Sequence, residues 1–173
     1  MGEGGVGVKI MRNPLEKTIG DYLRNKGWTL SIAESCTGGL ICDRITDVSG
    51  SSDYFMGGMV TYSNESKAKH LGIPLNYIKR HGAVSPQVAK KMAQGVKKTF
   101  NTTFGLSTTG VAGPTGGTIR SPVGRVFIGL AAGRKIWVKK LDLKGTRREI
   151  KKESTRLSLK YLCDFMRKPS SGF

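Results

Sequence analysis

Residues 28–48 read WTLSIAESCTGGLICDRITDV, and this stretch decides the fold class. Its first six residues, WTLSIA, predict a short strand, and residues 40–48 predict a helix. Gly38 and Gly39 lie between the two, where the chain must turn from strand to helix. A strand that runs directly into a helix is the unit from which alternating α/β folds are built.

Strands and helices alternate on both sides of this stretch. Two β-rich runs, 123–132 and 135–143, then predict a hairpin, and a long basic helix is predicted over 145–166. An alternating pattern followed by an antiparallel pair predicts a single α/β domain, a three-layer α/β/α sandwich on a mixed sheet. The remaining predicted helices are 14–26, 64–71, 74–82 and 85–98, and the remaining strands are 54–62 and 104–108.

The length of 173 residues fits one domain. We expect residues 14–168 to form it, with the glycine-rich residues 1–13 as a flexible leader and residues 169–173 as a tail. No run of eighteen apolar residues is present, so we expect no membrane partner. The three cysteines form no C-x-x-C pair and the chain has two histidines, so we expect a cytoplasmic protein without disulfides, metal or cofactor.

The net charge of +17 is unevenly distributed along the chain. Between residues 134 and 168, thirteen lysines and arginines stand against four acidic residues. Such a surface attracts polyanions, so nucleic-acid binding is one alternative function. No aromatic side chains interleave these charges as in single-strand binders, and we interpret them chiefly as a solvated basic face.

Three polar or glycine-rich segments, 34–39, 61–67 and 108–117, follow predicted strands. Ligands of α/β sheets collect at the carboxyl ends of strands, so we expect these segments to converge. In the first segment, Ser35 is either a nucleophile or a helix cap. In the second, Lys67 is either the base that a serine nucleophile needs or a solvated lysine.

The third segment, together with Ser107 before it, reads STTGVAGPTGG. Its backbone amides suit a phosphate or a carbonyl oxygen. It is not a P-loop, because no lysine follows, and it lacks the spacing of a dinucleotide-binding G-x-G-x-x-G. His81 is interpreted as a turn residue rather than a catalytic base. The residues alone therefore leave the type of site open.

Five ordered motifs together resemble one family. They are AESCTGG, GGMVTYSNESK, HGAVS, TTGVAGPTGG and PVGRV, and they run from about residue 28 towards the last helix. In this combination the chain resembles the CinA C-terminal domain family, which includes nicotinamide mononucleotide amidohydrolases of the PncC type. In many relatives a larger N-terminal domain with nucleotide pyrophosphatase chemistry precedes this domain, and we do not transfer that chemistry here.

The resemblance implies an amidohydrolase that converts nicotinamide mononucleotide into nicotinate mononucleotide and ammonia by a Ser-Lys mechanism. It implies Ser35 as the nucleophile, Lys67 as the base and Tyr62 as a third catalytic residue. It also implies a small-molecule nucleotide as substrate and a homodimer or higher homo-oligomer. The expected substrate-binding residues are Thr37, Gly38, Gly39, Thr108, Thr109, Gly110, Gly113, Thr115, Gly116, Gly117 and Arg147.

Several alternatives and departures accompany this assignment. Cys36 is the alternative nucleophile, and a different amide is the alternative substrate. An inactive relative that binds nucleotides or nucleic acids through its basic surface is the alternative function. Thr115 stands where relatives often have an aspartate, and Arg120 is an added basic residue.

Overall fold

A computed structural model describes residues 14–168 of the chain. The expected leader and tail lie outside the described residues. A short 3₁₀ turn, Ser51–Asp53, precedes the second strand. In chain order the elements are α1 (Leu15–Lys26), β1 (Leu30–Glu34), α2 (Leu40–Thr46), β2 (Phe55–Val60), α3 (Asn64–Leu71), α4 (Leu75–His81), α5 (Pro86–Phe100), β3 (Phe104–Gly110), β4 (Arg125–Ala132), β5 (Lys135–Asp142) and α6 (Arg147–Met166).

The five strands form one mixed sheet in the order β2-β1-β3-β4-β5. Strands β2, β1 and β3 are parallel, whereas β4 and β5 pair antiparallel to their neighbours. The interior strand β1 is buried along its whole length, while the edge strand β2 alternates between half-buried and exposed residues. This is the mixed sheet that the sequence pattern predicts.

Helices cover both faces of the sheet and give the three layers. On one face, α1, α2 and α6 pack around a core that includes Ile19, Ile41 and Leu159. On the other face, α3, α4 and α5 supply a second apolar cluster that includes Ile78 and Met92. The predicted three-layer α/β/α sandwich is confirmed.

Local sequence signals set most element boundaries. The side chain of Ser63 accepts from the amide of Ser66 and starts α3 at the predicted residue. Thr146 and Glu149 form a capping box, so α6 begins at Arg147 rather than at the predicted residue 145. Strand β3 runs to Gly110, beyond the predicted residue 108, because β4 pairs with it as far as Val126.

The turn from β1 into α2 requires two glycines. Gly38 has φ 63° and Gly39 has φ 102°, conformations that residues with a Cβ rarely adopt. The strand therefore ends at Glu34 and the helix begins at Leu40, with Ser35 at the first position after the strand.

Candidate active site

The candidate active site is a cavity of about 270 Å³ at the carboxyl ends of β1, β2 and β3. Because these strands are parallel, the segments that follow them meet at one edge of the sheet. The cavity is lined by nine of the residues assigned to the site from the sequence: Ser35, Tyr62, Lys67, Thr109, Gly110, Gly113, Thr115, Gly116 and Arg147.

Lys67 and Ser35 form the chemical centre of this cavity. Lys67 lies on α3 and is 1% exposed, and Ser35 is 8% exposed. The Lys67 Nζ lies 3.1 Å from the Ser35 Oγ. It also donates to the backbone carbonyl oxygens of Thr61 at 2.8 Å and Tyr62 at 3.1 Å. The amine is thus held against the serine hydroxyl by the chain that follows β2.

Burial changes the protonation of Lys67. Removal from water disfavours the ammonium form and lowers the pKa of Lys67 to about 8. No described residue forms an ion pair with Lys67. A neutral amine, which can accept a proton, is therefore available near neutral pH.

Glu34 fixes the turn that carries Ser35. Its carboxylate is fully buried at the end of β1. It accepts from the amides of Gly39 and Ile41 at 2.9 and 3.2 Å, and from that of Cys42 at 2.8 Å. The first turn of α2 is therefore anchored to the end of the strand by three hydrogen bonds to one side chain.

This anchor changes the role expected for three residues. The Gly39 amide donates to Glu34, and the Gly38 amide donates to the backbone carbonyl of Ser35. Thr37 is fully buried, and its hydroxyl pairs with that of Thr108 at 2.8 Å. Contrary to the sequence-based expectation, these groups are occupied within the protein and do not line the cavity.

Two hydroxyls expected to bind substrate are also committed elsewhere. Thr108 is fully buried against Thr37 and does not line the cavity. Thr109 lines it, but its hydroxyl donates to the Ala83 carbonyl oxygen at 2.8 Å. The single hydroxyl proton of Thr109 is therefore already used, and the Thr108 hydroxyl is buried away from the cavity.

Cys36 lines the cavity beside Ser35 but is only 5% exposed. Burial raises the pKa of the Cys36 thiol to about 12, and the nearby Glu34 carboxylate raises it further. The thiolate is the nucleophilic form of cysteine, and this site disfavours it. The geometry thus favours Ser35 over Cys36.

Tyr62 and Arg147 form the outer wall of the cavity. The Arg147 Nη2 donates to the Tyr62 hydroxyl at 2.9 Å, and its Nη1 donates to the Gly113 carbonyl oxygen at 2.8 Å. The Tyr62 side chain is 60% exposed, and its hydroxyl has no hydrogen bond to Ser35 or Lys67. This placement suits contact with a ligand rather than direct proton transfer with Ser35 or Lys67.

The glycine-rich loop after β3 lines the cavity with Gly113, Thr115 and Gly116, whereas Gly117 does not line it. A Cβ built on Gly117 would lie 3.0 Å from the Val123 side chain, so this glycine packs against the chain entering β4. The first part of the loop therefore forms a wall of the cavity, whereas its last glycine makes a packing contact outside it.

Comparison with known proteins identifies the family. The model of the CinA C-terminal domain matches residues 12–166. The chain belongs to the CinA C-terminal domain family. Competence-damage inducible proteins of Desulforudis audaxviator and Clostridium kluyveri are 45% and 48% identical to it over 87% and 86% of the chain. The chain spans 37% and 36% of the length of these curated relatives.

Solved structures of the CinA family share the fold. The competence/damage inducible protein CihA from Agrobacterium tumefaciens is 35% identical, with a TM-score of 0.84 over 87% of this chain and 92% of that one. The competence damage-inducible protein A from Klebsiella pneumoniae is 25% identical, with a TM-score of 0.87 over 90% and 97%. These likenesses support the order of layers and strands described above.

Two charged residues of this CinA domain were missed by the sequence analysis. Glu34 was detectable in principle, because a carboxylate at the end of a largely apolar, buried strand must have buried partners. Lys151 follows Arg147 by one helical turn on α6, and its Nζ would lie 3.4 Å from a Cβ built on Gly38. Its position relative to Gly38 depends on how α6 docks, which no local pattern reveals.

Within residues 14–168, no three histidine, cysteine, aspartate or glutamate side chains are grouped so that they could hold a metal ion. None of the helices described for the chain is both long and apolar enough to cross a bilayer. His81 packs its ring 4.3 Å from that of Tyr77, away from Ser35 and Lys67.

Proposed function

We propose that the chain hydrolyses the carboxamide of nicotinamide mononucleotide to nicotinate mononucleotide and ammonia. The observation that carries the proposal is the buried amine of Lys67 at 3.1 Å from the Ser35 hydroxyl, inside a cavity at the strand ends. A serine with an adjacent neutral amine is a known form of activated nucleophile. Membership of the CinA family supports the choice of reaction.

The hydrogen bonds around Lys67 favour proton transfer from serine. An ammonium has three N–H donors, which match the three acceptors around the Nζ. Once one proton is lost, the carbonyl oxygens of Thr61 and Tyr62 can only accept, so they retain the two remaining N–H groups. The lone pair then faces Ser35, whose hydroxyl must donate to it. Deprotonation of Lys67 thus reverses the direction of the Ser35–Lys67 hydrogen bond.

The reaction proceeds in two halves. The Ser35 Oγ attacks the amide carbon while its proton passes to the Lys67 Nζ. Lys67 then delivers this proton to the departing nitrogen, the C–N bond breaks, and ammonia leaves an ester on Ser35. A water molecule attacks the ester and gives its proton to Lys67, which returns it to the Ser35 Oγ as the acid is released. Atoms and protons balance without a further reactant.

Backbone amides are the candidates to stabilise the negative carbonyl oxygen. The amide of Cys36, which follows Ser35 and lines the cavity, donates to no backbone carbonyl of residues 14–168. Donors of this kind contribute roughly 3–4 kcal/mol each to lowering the barrier. Arg147 retains further N–H groups beside those given to Tyr62 and Gly113, and these are available to polar groups of a substrate.

The proposal is tested by ammonia release from nicotinamide mononucleotide with the purified full chain. Ser35→Ala and Lys67→Met should each lower kcat by at least about 10⁴-fold, as losses of nucleophile or base do. The matched control is Lys69→Met, because Lys69 lies on the same helix but is exposed. It should leave kcat unchanged.

Two further results would decide between the alternatives. Cys36→Ala should retain activity; if it abolished turnover in a folded protein while Ser35→Ala did not, Cys36 would be the nucleophile. Absence of deamidation by a folded wild-type chain, together with salt-dependent binding to DNA or RNA, would overturn the proposal in favour of a binding module.

A further inference from the structure

A second and larger cavity adjoins the candidate active site. Its volume is about 550 Å³, against about 270 Å³ for the cavity that holds Ser35. Ala83, Val84, Val111 and Gly116 line both cavities, so the two share a wall and are neighbours on the same side of the molecule. A ligand that enters one is therefore adjacent to the other.

The adjoining cavity combines an apolar floor with a cationic rim. Phe127 and Val111 contribute apolar surface, and Lys79, Arg80 and Arg120 contribute positive charge. No aspartate or glutamate lines it. None of the three cations forms an ion pair with another residue of the described range 14–168. Such a surface favours an anionic group attached to a less polar one.

The size of the catalytic cavity also indicates that a nucleotide-sized substrate would extend into the adjoining cavity. Ligand sites usually occupy about 300–1,000 Å³, so about 270 Å³ lies below the range for a nucleotide-sized molecule. An amide group placed at Ser35 would leave the rest of such a substrate to extend beyond this space. The neighbouring cavity supplies the missing volume.

The two arginines near these cavities differ in what they already bind. Two nitrogens of Arg147 donate to Tyr62 and Gly113. The guanidinium of Arg120 makes no hydrogen bond within residues 14–168, and only its backbone carbonyl is used, by Arg125. Because Arg120 carries a complete set of unused donors, it can bind a phosphate in a bidentate manner.

Resting on the proposed function, we propose that the substrate extends from the Ser35 cavity into the adjoining basic cavity, where its phosphate group binds Arg120. In this arrangement Arg120 selects phosphorylated amides over their unphosphorylated nucleosides. Arg147 instead orders the wall formed by Tyr62 and Gly113. This assigns a function to Arg120, the added basic residue of the sequence analysis.

The test compares ammonia release from nicotinamide mononucleotide and from nicotinamide riboside, which lacks the phosphate. Arg120→Ala should raise KM for the mononucleotide about 10- to 100-fold, as the loss of a hydrogen-bonded charge pair does. KM for the riboside should stay unchanged. The matched control is Arg134→Ala, an exposed arginine in the β4–β5 turn outside both cavities. It should change neither KM. An unchanged KM for the mononucleotide in Arg120→Ala would overturn the inference.

A binding measurement separates failure of this inference from failure of the proposed function. Adenosine monophosphate and adenosine are titrated calorimetrically into the full-length wild-type, Arg120→Ala and Arg134→Ala proteins. We expect the monophosphate to bind more tightly than adenosine, and this advantage to disappear only in Arg120→Ala. That result without deamidation would support a phosphate site and overturn the proposed reaction. If the chain deamidates the mononucleotide but Arg120→Ala keeps the preference for the phosphate, the proposed reaction is supported and the assignment of the phosphate to Arg120 is overturned.

Discussion

The amine of Lys67 approaches the hydroxyl of Ser35 to 3.1 Å although the two residues lie 32 positions apart and on different elements. Ser35 is placed by the end of β1, and Lys67 by the second turn of α3. The contact exists because β1 and β2 are parallel neighbours, so that the chain leaving β2 enters α3 directly above Ser35. The sheet topology thus creates the pair.

The activity should depend on pH through this amine. Because the pKa of Lys67 is lowered to about 8, roughly one tenth of the lysines are neutral at pH 7. We expect kcat/KM to rise about tenfold per pH unit below pH 7 and to level off above about pH 8. A rate profile between pH 5.5 and 9.5 tests this. A profile that is flat from pH 6 to 9 would remove Lys67 from the role of base.

The stability of the fold should depend on pH through the same residue. An unfolded lysine has a pKa of about 10.4, so between pH 8 and 10 the unfolded chain binds more protons than the folded one. The free energy of unfolding contributed by Lys67 must therefore rise with pH across this window. This is measured by urea unfolding of wild type and Lys67→Met at pH 7, 8, 9 and 10. The free energy of unfolding of wild type should increase relative to that of Lys67→Met as the pH rises. A constant difference would mean that the lysine pKa is not lowered.

Glu34 should matter for both stability and activity. Glu34→Gln exchanges a carboxylate that accepts from Gly39, Ile41 and Cys42 for an amide that also carries donors. We expect a loss of about 2–3 kcal/mol in the free energy of unfolding and a lower kcat, because Ser35 loses its support. Glu153→Gln is the control, since its exposed ion pair with Arg156 should contribute under about 1 kcal/mol. Equal effects in the two variants would refute a special role for Glu34.

Tyr62 should affect binding rather than proton transfer. Its hydroxyl contacts Arg147 and neither Ser35 nor Lys67, so Tyr62→Phe should lower kcat/KM by no more than about tenfold. In an Arg147→Ala background, Tyr62→Phe should have no further effect, because the shared hydrogen bond is already lost. Kinetics of the two single variants and the double variant measure this coupling. A 10³-fold fall in kcat for Tyr62→Phe alone would restore the tyrosine to the proton-transfer steps.

The layers could be predicted from the sequence because the helices and strands that build them are marked by local sequence signals. Helix α3 was placed correctly since Ser63 caps its start and Gly72 follows its end. The three strand-end segments could also be predicted, because the carboxyl ends of parallel strands must share an edge. Arg147 and Ser35 were assigned to the site through sequence motifs, and the structure places both of them in the lining of the cavity.

What the sequence missed depends on which way side chains face after packing. Thr37 and Thr108 were expected to meet substrate, yet they pair with each other inside the protein. Nothing in their own neighbourhoods distinguishes a hydroxyl that faces the cavity from one that faces the core. Glu34 was missed for a related reason: its three amide partners become neighbours only when α2 folds back over the end of β1.

The guanidinium of Arg147 joins segments that are 85 and 34 residues away along the chain, at Tyr62 and Gly113. A ribosome releases the chain from its N-terminus, so residues 35 and 67 emerge long before the helix that Arg147 begins. Ser35 and Lys67 are therefore both synthesised while the wall of their cavity still lacks its last contact. Only when the final helix has been synthesised and has docked does that wall close, so the finished shape of the cavity depends on completion of the domain.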